Sequence, residues 1–119
     1  MKKEFCTYTQ SIAIKELGFD EKRLGHYLNI NKLFFLGELD DDYIEGITSA
    51  PLIQQAFRFF RDKYGLHYCI LYNEDKLEYD AGVFGELVKP FWDDEKVFKT
   101  YKEAEQACLD KLIEIAKEK

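Results

Sequence analysis

An amphipathic segment at residues 51–65 constrains the fold of this chain most strongly. Pro51 suits the first turn of a helix, Thr48 or Ser49 is placed to cap it, and Gly65 is typical of a helix end. Between them, apolar residues recur at spacings of three and four, as on the buried face of a helix: Leu52, Ile53, Ala56, Phe57, Phe60 and Tyr64. The segment therefore predicts a helix that packs on a core.

Two hairpins are predicted, one on each side of this helix. Residues 24–30 alternate between two faces, and residues 33–36 are wholly apolar, as in a central strand. After the helix, residues 67–72 read as a strand and residues 77–84 as its return strand. The residues at 73–76 favour the turn between them.

The segment that follows the second hairpin is interrupted by glycine and proline. Gly82 and Gly85 are typical of a bulge or a bend. Pro90 breaks the segment 87–98, and a turn is predicted at 93–96 with short strand pieces on either side.

Two further helices are predicted near the ends of the chain, at residues 7–17 and 100–116. They begin alike, with Thr-Tyr-x-Gln and Thr-Tyr-x-Glu, and both fit a capping box. Gly18 is a typical C-terminal cap for the first. The order α-β-β-α-β-β-α predicts an α+β fold in which three amphipathic helices pack on one face of a small antiparallel sheet. We expect residues 1–119 to form a single domain.

The composition narrows the class of protein. A chain of 119 residues with 46% hydrophobic residues can bury its own core. The net charge of −6 disfavours contact with phosphate backbones and anionic lipid, so we expect neither a nucleic-acid nor a membrane partner. Three widely spaced cysteines without C-x-x-C spacing indicate reduced thiols. Residues 1–4 lead into a helix signal without a signal-peptide core, so a cytoplasmic location is expected.

The two histidines define one candidate chemical site. His67 and Cys69 lie two residues apart on a predicted strand, so they share a face. With His26 from the other hairpin they would suit a metal site or a Cys–His nucleophile pair. A single H-x-C is an unspecific pattern, and cysteine is more often a small buried hydrophobe. We therefore expect no metal and no cofactor.

Acidic residues define two weaker candidates. The run of Asp at 40–42 lies in the most acidic stretch, but an EF-hand loop needs alternate acidic ligands, so a solvated loop is the simpler interpretation. Glu78, Asp80 and Glu86 would suit paired-carboxylate catalysis, although no partner is positioned by the pattern. The chain has no phosphate-binding glycine loop and no G-x-S-x-G, which makes an enzyme the less favoured class.

The aromatic residues define the candidate interaction surface. Residues 67–72 are apolar on both faces, whereas a sheet with helices on one side needs only one apolar face. We expect the second face to be either exposed or covered by the segment 87–97. Exposed aromatic patches often mark interaction sites. The residues assigned to this surface are Tyr27, Tyr68, Tyr72 and Trp92. An RNA-stacking platform is disfavoured by the acidic charge.

Three stretches carry a resemblance to a known group of proteins. They are CTY at 6–8 with KELGF at 15–19, ITSAP at 47–51 with QAFRFFRDKYG at 55–65, and TYKEAE at 100–105 with ACLDKLI at 107–113. In these stretches the chain resembles small uncharacterised proteins of gut bacteria and their phages. The resemblance implies a cytoplasmic accessory protein, encoded in some cases by a mobile element, and assigns no residue a role.

Three functional hypotheses follow from the sequence. The first is a non-enzymatic module that binds a protein partner or forms a homodimer through an aromatic sheet face. The second is a small-molecule or metal-dependent enzyme that uses His26, His67, Cys69 or nearby carboxylates. The third is an acidic inhibitor or nucleic-acid mimic, which would cluster carboxylates on one surface.

Overall fold

The computed structural model describes residues 4–20, 25–37, 46–85, 88–92 and 98–118, with residues 88–92 described by their backbone alone. In chain order the elements are α1 (Tyr8–Glu16), β1 (Gly25–Leu28), β2 (Phe34–Leu36), β3 (Ile47–Ala50), α2 (Ile53–Tyr64), β4 (Leu66–Asn73), β5 (Glu78–Gly85), β6 (Val88–Trp92) and α3 (Tyr101–Lys117). Three helices with antiparallel strands confirm the α+β class.

The strands form two sheets of three strands each, in the orders β2-β1-β3 and β4-β5-β6. Each predicted hairpin therefore gains a third strand, and the described strands are divided between two sheets where one had been expected. The chain divides into two compact units, Met1–Ala56 and Phe57–Lys119. The expectation of a single domain stays a prediction, and the units are described separately.

In the first unit, α1 is held at both ends by the caps that the sequence predicts. The Thr7 hydroxyl accepts from the backbone N–H of Gln10 at 3.2 Å, and the Gln10 side chain accepts from the N–H of Thr7 at 3.0 Å. At the other end, Gly18 has a φ of +100°, the left-handed conformation that favours glycine. The predicted capping box is confirmed.

The sheet of the first unit is built around β1, which pairs antiparallel with both β2 and β3. Alternate residues of a strand face opposite sides, so Tyr27 and His26 lie on different faces. Phe5, Tyr27 and Ala50 form the buried cluster on one face, and the side chains packed against it are Tyr8, Phe34 and Leu52.

The expected cap of α2 is corrected by the structure. Thr48 and Ser49 belong to β3, where they pair with Tyr27 and His26 of β1. The helix begins at Ile53, and the Gln55 side chain accepts from the backbone N–H of Leu52 at 2.9 Å. These two residues, whose side chains would also have suited a cap, are instead part of a strand that pairs with β1.

In the second unit, β4 and β5 pair in unbroken register from Leu66 opposite Gly85 to Asn73 opposite Glu78. Their turn is closed by the Asn73 side chain, which accepts from the backbone N–H groups of Asp75 and Lys76. The pairing of β5 with β6 shifts register between Val83 and Gly85. This irregularity lies where the two glycines predicted a bulge or a bend.

Helix α3 is capped by Thr100, whose hydroxyl accepts from the backbone N–H of Glu103 at 3.1 Å. It packs against β4 and β5 through a buried stripe: Ala104, Cys108, Leu109, Leu112, Ile113 and Ala116. None of the described helices has both the length and the apolar character that a membrane crossing requires.

Candidate interaction site on the second sheet

One face of the β4–β5 hairpin is covered by helices. Tyr68 lies on this face, and its ring stacks on Phe57 of α2 with centroids 3.8 Å apart and planes 16° from parallel. On the α3 side, Tyr101 hydrogen-bonds to Tyr68, and burial, followed by the proximity of Tyr68, raises the pKa of Tyr101. Leu66 and Val83 of this face are fully buried. We call it the covered face.

The other face of the same hairpin carries His67, Cys69 and Leu71 of β4 and Phe84 of β5. Leu71 is 53% exposed and Phe84 is 40% exposed. The exposed His67 ring stacks on Phe84, its cross-strand neighbour, at a centroid distance of 5.3 Å. We call this surface the open face. Two large apolar side chains held in water on a rigid sheet are typical of a surface that binds another macromolecule.

The centre of the open face is occupied by two small residues, Cys69 and Gly82. Gly82 lies directly opposite Cys69, so no side chain from β5 covers the thiol, which is partly exposed. Asp80 lies opposite Leu71 and is only partly buried, so a carboxylate borders the apolar residues on one side. The arrangement is an apolar strip with a polar border, as interface cores and rims often are.

The cysteines differ in accessibility. Cys6 and Cys108 are buried, whereas Cys69 is intermediate, and no disulfide joins any of the three. The Cys108 thiol donates toward the carbonyl oxygen of Gly82 at 3.8 Å. Burial raises the pKa of Cys108 to about 11. Cys69 is therefore the thiol within reach of reagents in the folded protein.

The four residues of the expected interaction surface have different environments in the structure. Tyr27 is a core residue, 3% exposed, and its hydroxyl donates to the carbonyl of Cys6 at 2.8 Å; burial raises its pKa. Tyr68 lies on the covered face. Tyr72 is 50% exposed, at the far end of that same face. The backbone of Trp92 pairs with Gly82, and its side chain lies outside the described part of the chain.

The expectation of an apolar second face is met by a different set of residues. The alternation of β4 makes both faces apolar, and the helices cover the tyrosine face because Tyr68 fills the space between Phe57 and Tyr101. The open face carries the exposed residues His67, Leu71 and Phe84, and on the tyrosine face Tyr72 is exposed at its far end. Tertiary packing determines which of the two apolar faces is covered. The alternation of residues along the strand does not distinguish the two faces, because both are apolar.

The residues of the expected His–Cys site belong to different units: His67 and Cys69 lie in the second unit and His26 in the first. His26 belongs to the first unit, where Nδ1 lies 2.7 Å from the Ser49 hydroxyl and Nε2 lies 2.8 Å from the Gly37 carbonyl. A carbonyl only accepts, so Nε2 carries the hydrogen, and in the neutral ring Nδ1 accepts from Ser49. The imidazole is 2% exposed and links β1 to β3 and to the end of β2. Sequence reasoning found His26 but not this partnership with Ser49.

The structure gives no further support to the metal site or to the paired-carboxylate site that the sequence suggested. Within the described ranges, no group of three or more His, Cys, Asp or Glu side chains is arranged to hold a metal ion. The run of Asp at 40–42 and Glu86 lie outside those ranges. Glu78 and Asp80 are two residues apart on β5 and share the side of the open face.

Comparison with known proteins adds no assignment. No family model, no curated protein and no solved structure matches the chain. The case for a function therefore comes from the geometry of the open face and of the strand that carries it.

Proposed function

We propose that the chain is a small non-enzymatic module that binds a protein through the open face of its second sheet. The observation that carries this proposal is the exposure of Leu71 and Phe84, at 53% and 40%, on neighbouring strands of a regular sheet. Removing apolar surface of this kind from water contributes roughly 25 cal/mol of favourable binding free energy per Å². Because paired strands already hold the side chains in place, little further ordering is needed on binding.

The chemistry around the patch favours a protein over other partners. His67 and Asp80 lie beside the apolar residues and supply hydrogen-bonding groups at the border. A net charge of −6 disfavours anionic surfaces such as lipid or nucleic acid. Three cysteines without a disulfide suit a reducing compartment, so we place the protein in the cytoplasm. With the resemblance to small proteins of gut bacteria and phages, we propose an accessory role there.

The test removes the apolar patch without disturbing the strands. Leu71→Thr with Phe84→Thr introduces β-branched residues, which suit strands, and removes most of the exposed apolar area of the open face. The matched control is Leu77→Asn, which removes a side chain that is 70% exposed but lies in the turn, where φ is +55° and Asn is tolerated. We expect the double variant to lose at least tenfold in affinity for its protein partner, and the control to bind as the wild type does.

The tagged protein is used to capture its protein partner from native lysate. The affinity of the captured partner for each variant is then measured by titration. Equal capture by the wild type and the double variant, with both shown folded by circular dichroism, would contradict the proposal. So would capture that is lost equally in Leu77→Asn, since that residue lies off the open face.

A second candidate function rests on the contact between Ser49 and His26. A serine hydroxyl 2.7 Å from a histidine nitrogen is the geometry of an activated nucleophile. A fluorophosphonate probe tests this directly. Labelling at Ser49 that disappears in His26→Gln would favour a hydrolase. In the binding-module proposal the buried imidazole has a structural role, so the probe should label no serine.

A further inference from the structure

Three tyrosine rings meet at the far end of the covered face. Tyr72 of β4 and Tyr79 of β5 are register partners, and their ring centroids lie 5.0 Å apart. Tyr101, the first residue of α3, meets Tyr79 edge to face, with centroids 5.8 Å apart and planes at 84°. Tyr79 therefore lies between the other two rings. The three rings form one continuous aromatic surface, which we call the tyrosine patch.

The tyrosine patch is open to solvent although its members are held in place. Tyr72 is 50% exposed, Tyr101 is 44% exposed, and Tyr79 is partly exposed between them. The backbone of Tyr79 is bridged to Phe98 by two hydrogen bonds, and Tyr101 hydrogen-bonds to Tyr68. Because strand pairing and ring contacts already restrict these side chains, a ligand that covers them requires little further ordering.

Two hydroxyl groups of the patch are available to a ligand. No described residue forms a hydrogen bond with the hydroxyl of Tyr72 or of Tyr79. A tyrosine hydroxyl donates one hydrogen bond and also accepts. The patch therefore combines flat apolar rings with donors at its surface, and it suits an occupant that offers apolar groups together with free carbonyl oxygens.

The border of the patch is negatively charged at the turn of the hairpin. This turn lies directly beyond the pair of strand tyrosines, and it carries Glu74, Asp75 and Lys76, all of them exposed. No described residue forms an ion pair with either carboxylate. On the side of α3, the charges of Glu105 and Lys102 lie close together and oppose each other. Two carboxylates against one ammonium group in the turn favour a cationic group on the ligand.

A proline-rich segment with a basic residue beside it has the chemistry that this surface requires. A polyproline II helix makes no internal hydrogen bonds, so its carbonyl oxygens are free to accept from tyrosine hydroxyls. Its proline rings pack against aromatic side chains, which is how aromatic-lined grooves recognise such segments. An α-helix bonds its carbonyls internally and would leave the hydroxyls without acceptors. An arginine next to the prolines can pair with the carboxylates and stack on an outer ring.

We propose that the tyrosine patch binds a proline-rich peptide segment flanked by arginine. The prolines lie against the three rings, and the arginine lies over the turn, at Glu74 and Asp75. The patch is on the side of the hairpin opposite to the open face, because Tyr72 and Leu71 are adjacent in β4 and face opposite sides. The inference therefore adds a second binding surface and does not depend on the first.

The first experiment titrates three synthetic peptides into the full chain and follows the backbone amide signals by NMR. One peptide has eight consecutive prolines preceded by two arginines, the second has glutamates in place of the arginines, and the third has a glycine–serine repeat in place of the prolines. We expect the first to saturate with a Kd below about 1 mM and to shift the amides of residues 72, 79 and 101. The other two should bind at least about tenfold more weakly.

Two of the outcomes of this titration overturn the inference. One is equal binding of the first and third peptides, since charge alone then accounts for the association. The other is an absence of saturation with the first peptide at about 3 mM, several times the highest Kd expected.

The second experiment repeats the titration with variants of the patch and of its border. Tyr72→Ala removes a half-exposed ring and should weaken the first peptide by at least about tenfold. Glu74→Lys with Asp75→Lys reverses two exposed charges and should weaken it by about tenfold, while an octaproline peptide without arginine binds unchanged. Circular dichroism establishes that each variant is folded. Unchanged affinity in Tyr72→Ala overturns the inference, and the turn variant tests it independently.

The two binding surfaces are distinguished by the open-face variant. Leu71→Thr with Phe84→Thr should bind the first peptide as the wild type does, because both changes lie on the other side of the hairpin. Loss of peptide binding in this variant, or amide shifts centred on residues 67, 71 and 84, would assign the peptide to the open face and overturn the inference. Peptide binding that is kept while a lysate partner is lost supports both surfaces.

Discussion

The ring of Tyr68 lies 3.8 Å from the ring of Phe57, stacked within 16° of parallel. This contact joins the helix that precedes the hairpin to the middle of β4. It also determines which side of the hairpin faces water, since Tyr68 and Leu71 are on opposite faces of the strand. The surface available for binding is thus a consequence of how α2 packs on one tyrosine.

Shortening Tyr68 should therefore destabilise the second unit strongly. Tyr68→Ala removes the stack on Phe57 and the hydrogen bond with Tyr101, and we expect a loss of about 2–4 kcal/mol in the free energy of unfolding. Tyr68→Phe keeps the ring and should lose only about 1 kcal/mol. Tyr72→Ala is the control, because that residue is half exposed; urea titration should give a loss under about 1 kcal/mol. Equal losses at Tyr68 and Tyr72 would contradict this account of the covered face.

Alkaline pH should weaken the protein through Cys108. Burial raises the pKa of this thiol from 9.0 to about 11, so the folded state binds the proton more tightly than the unfolded state does. The stabilisation is complete below pH 9 and is lost as the pH rises toward 11, with a change of about 2 kcal/mol. Measured by urea titration across this window, Cys108→Ala should show a shallower decline than the wild type.

The matched control for the pH experiment is Cys69→Ala, because it removes the partly exposed thiol and leaves the buried one. We expect it to keep the slope of the wild type between pH 9 and 11. Tyr27 and Tyr101, whose pKa values burial also raises from 10.0, add to the decline above pH 10 in every variant. An unchanged slope in Cys108→Ala would show that these tyrosines account for the whole effect.

Local signals in the sequence were sufficient for the parts of the fold that depend on few neighbours. The caps of α1 and α3 follow from Thr7 and Thr100, whose hydroxyls accept in both cases from the backbone three residues on. The turn after β4 follows from Asn73, which accepts from two backbone N–H groups. These contacts span three residues or fewer, so the pattern holds all the information they need.

Features that depend on distant partners were not predictable in the same way. Thr48 and Ser49 suit either a helix cap or a strand, and pairing with β1 more than twenty residues earlier decided for the strand. The choice of covered face depended likewise on Phe57 and Tyr101, which belong to different helices. In each case two local structures were available, and tertiary packing selected one.

The two histidines should respond very differently to removal. His26→Ala leaves the partly buried Ser49 hydroxyl and the Gly37 carbonyl without their ring partners and opens a cavity, which we expect to cost about 2–4 kcal/mol. His67→Ala removes an exposed ring stacked on Phe84 and should cost about 1 kcal/mol or less. Thermal and urea unfolding of the two variants provide the comparison. A small effect at His26 would mean that its hydrogen bonds are readily replaced by water.

A methyl group added at Gly25 should disrupt the core of the first unit. A Cβ atom there would lie 2.6 Å from Cδ1 of Phe5 and 2.8 Å from Cε2 of Phe34, closer than carbon atoms approach without displacement. The two rings are themselves in contact at 5.2 Å, and Phe34 also contacts Tyr27, so neither ring moves without moving a neighbour. We expect Gly25→Ala to lose about 1–3 kcal/mol in the free energy of unfolding on urea titration, even after the smaller entropy of the unfolded alanine chain is counted.

Gly37→Ala is the control: a Cβ there meets no described atom within 4 Å, so its stability should match or slightly exceed that of the wild type. If both variants unfold alike, the close approach of Phe5 to Gly25 does not determine the packing of this sheet.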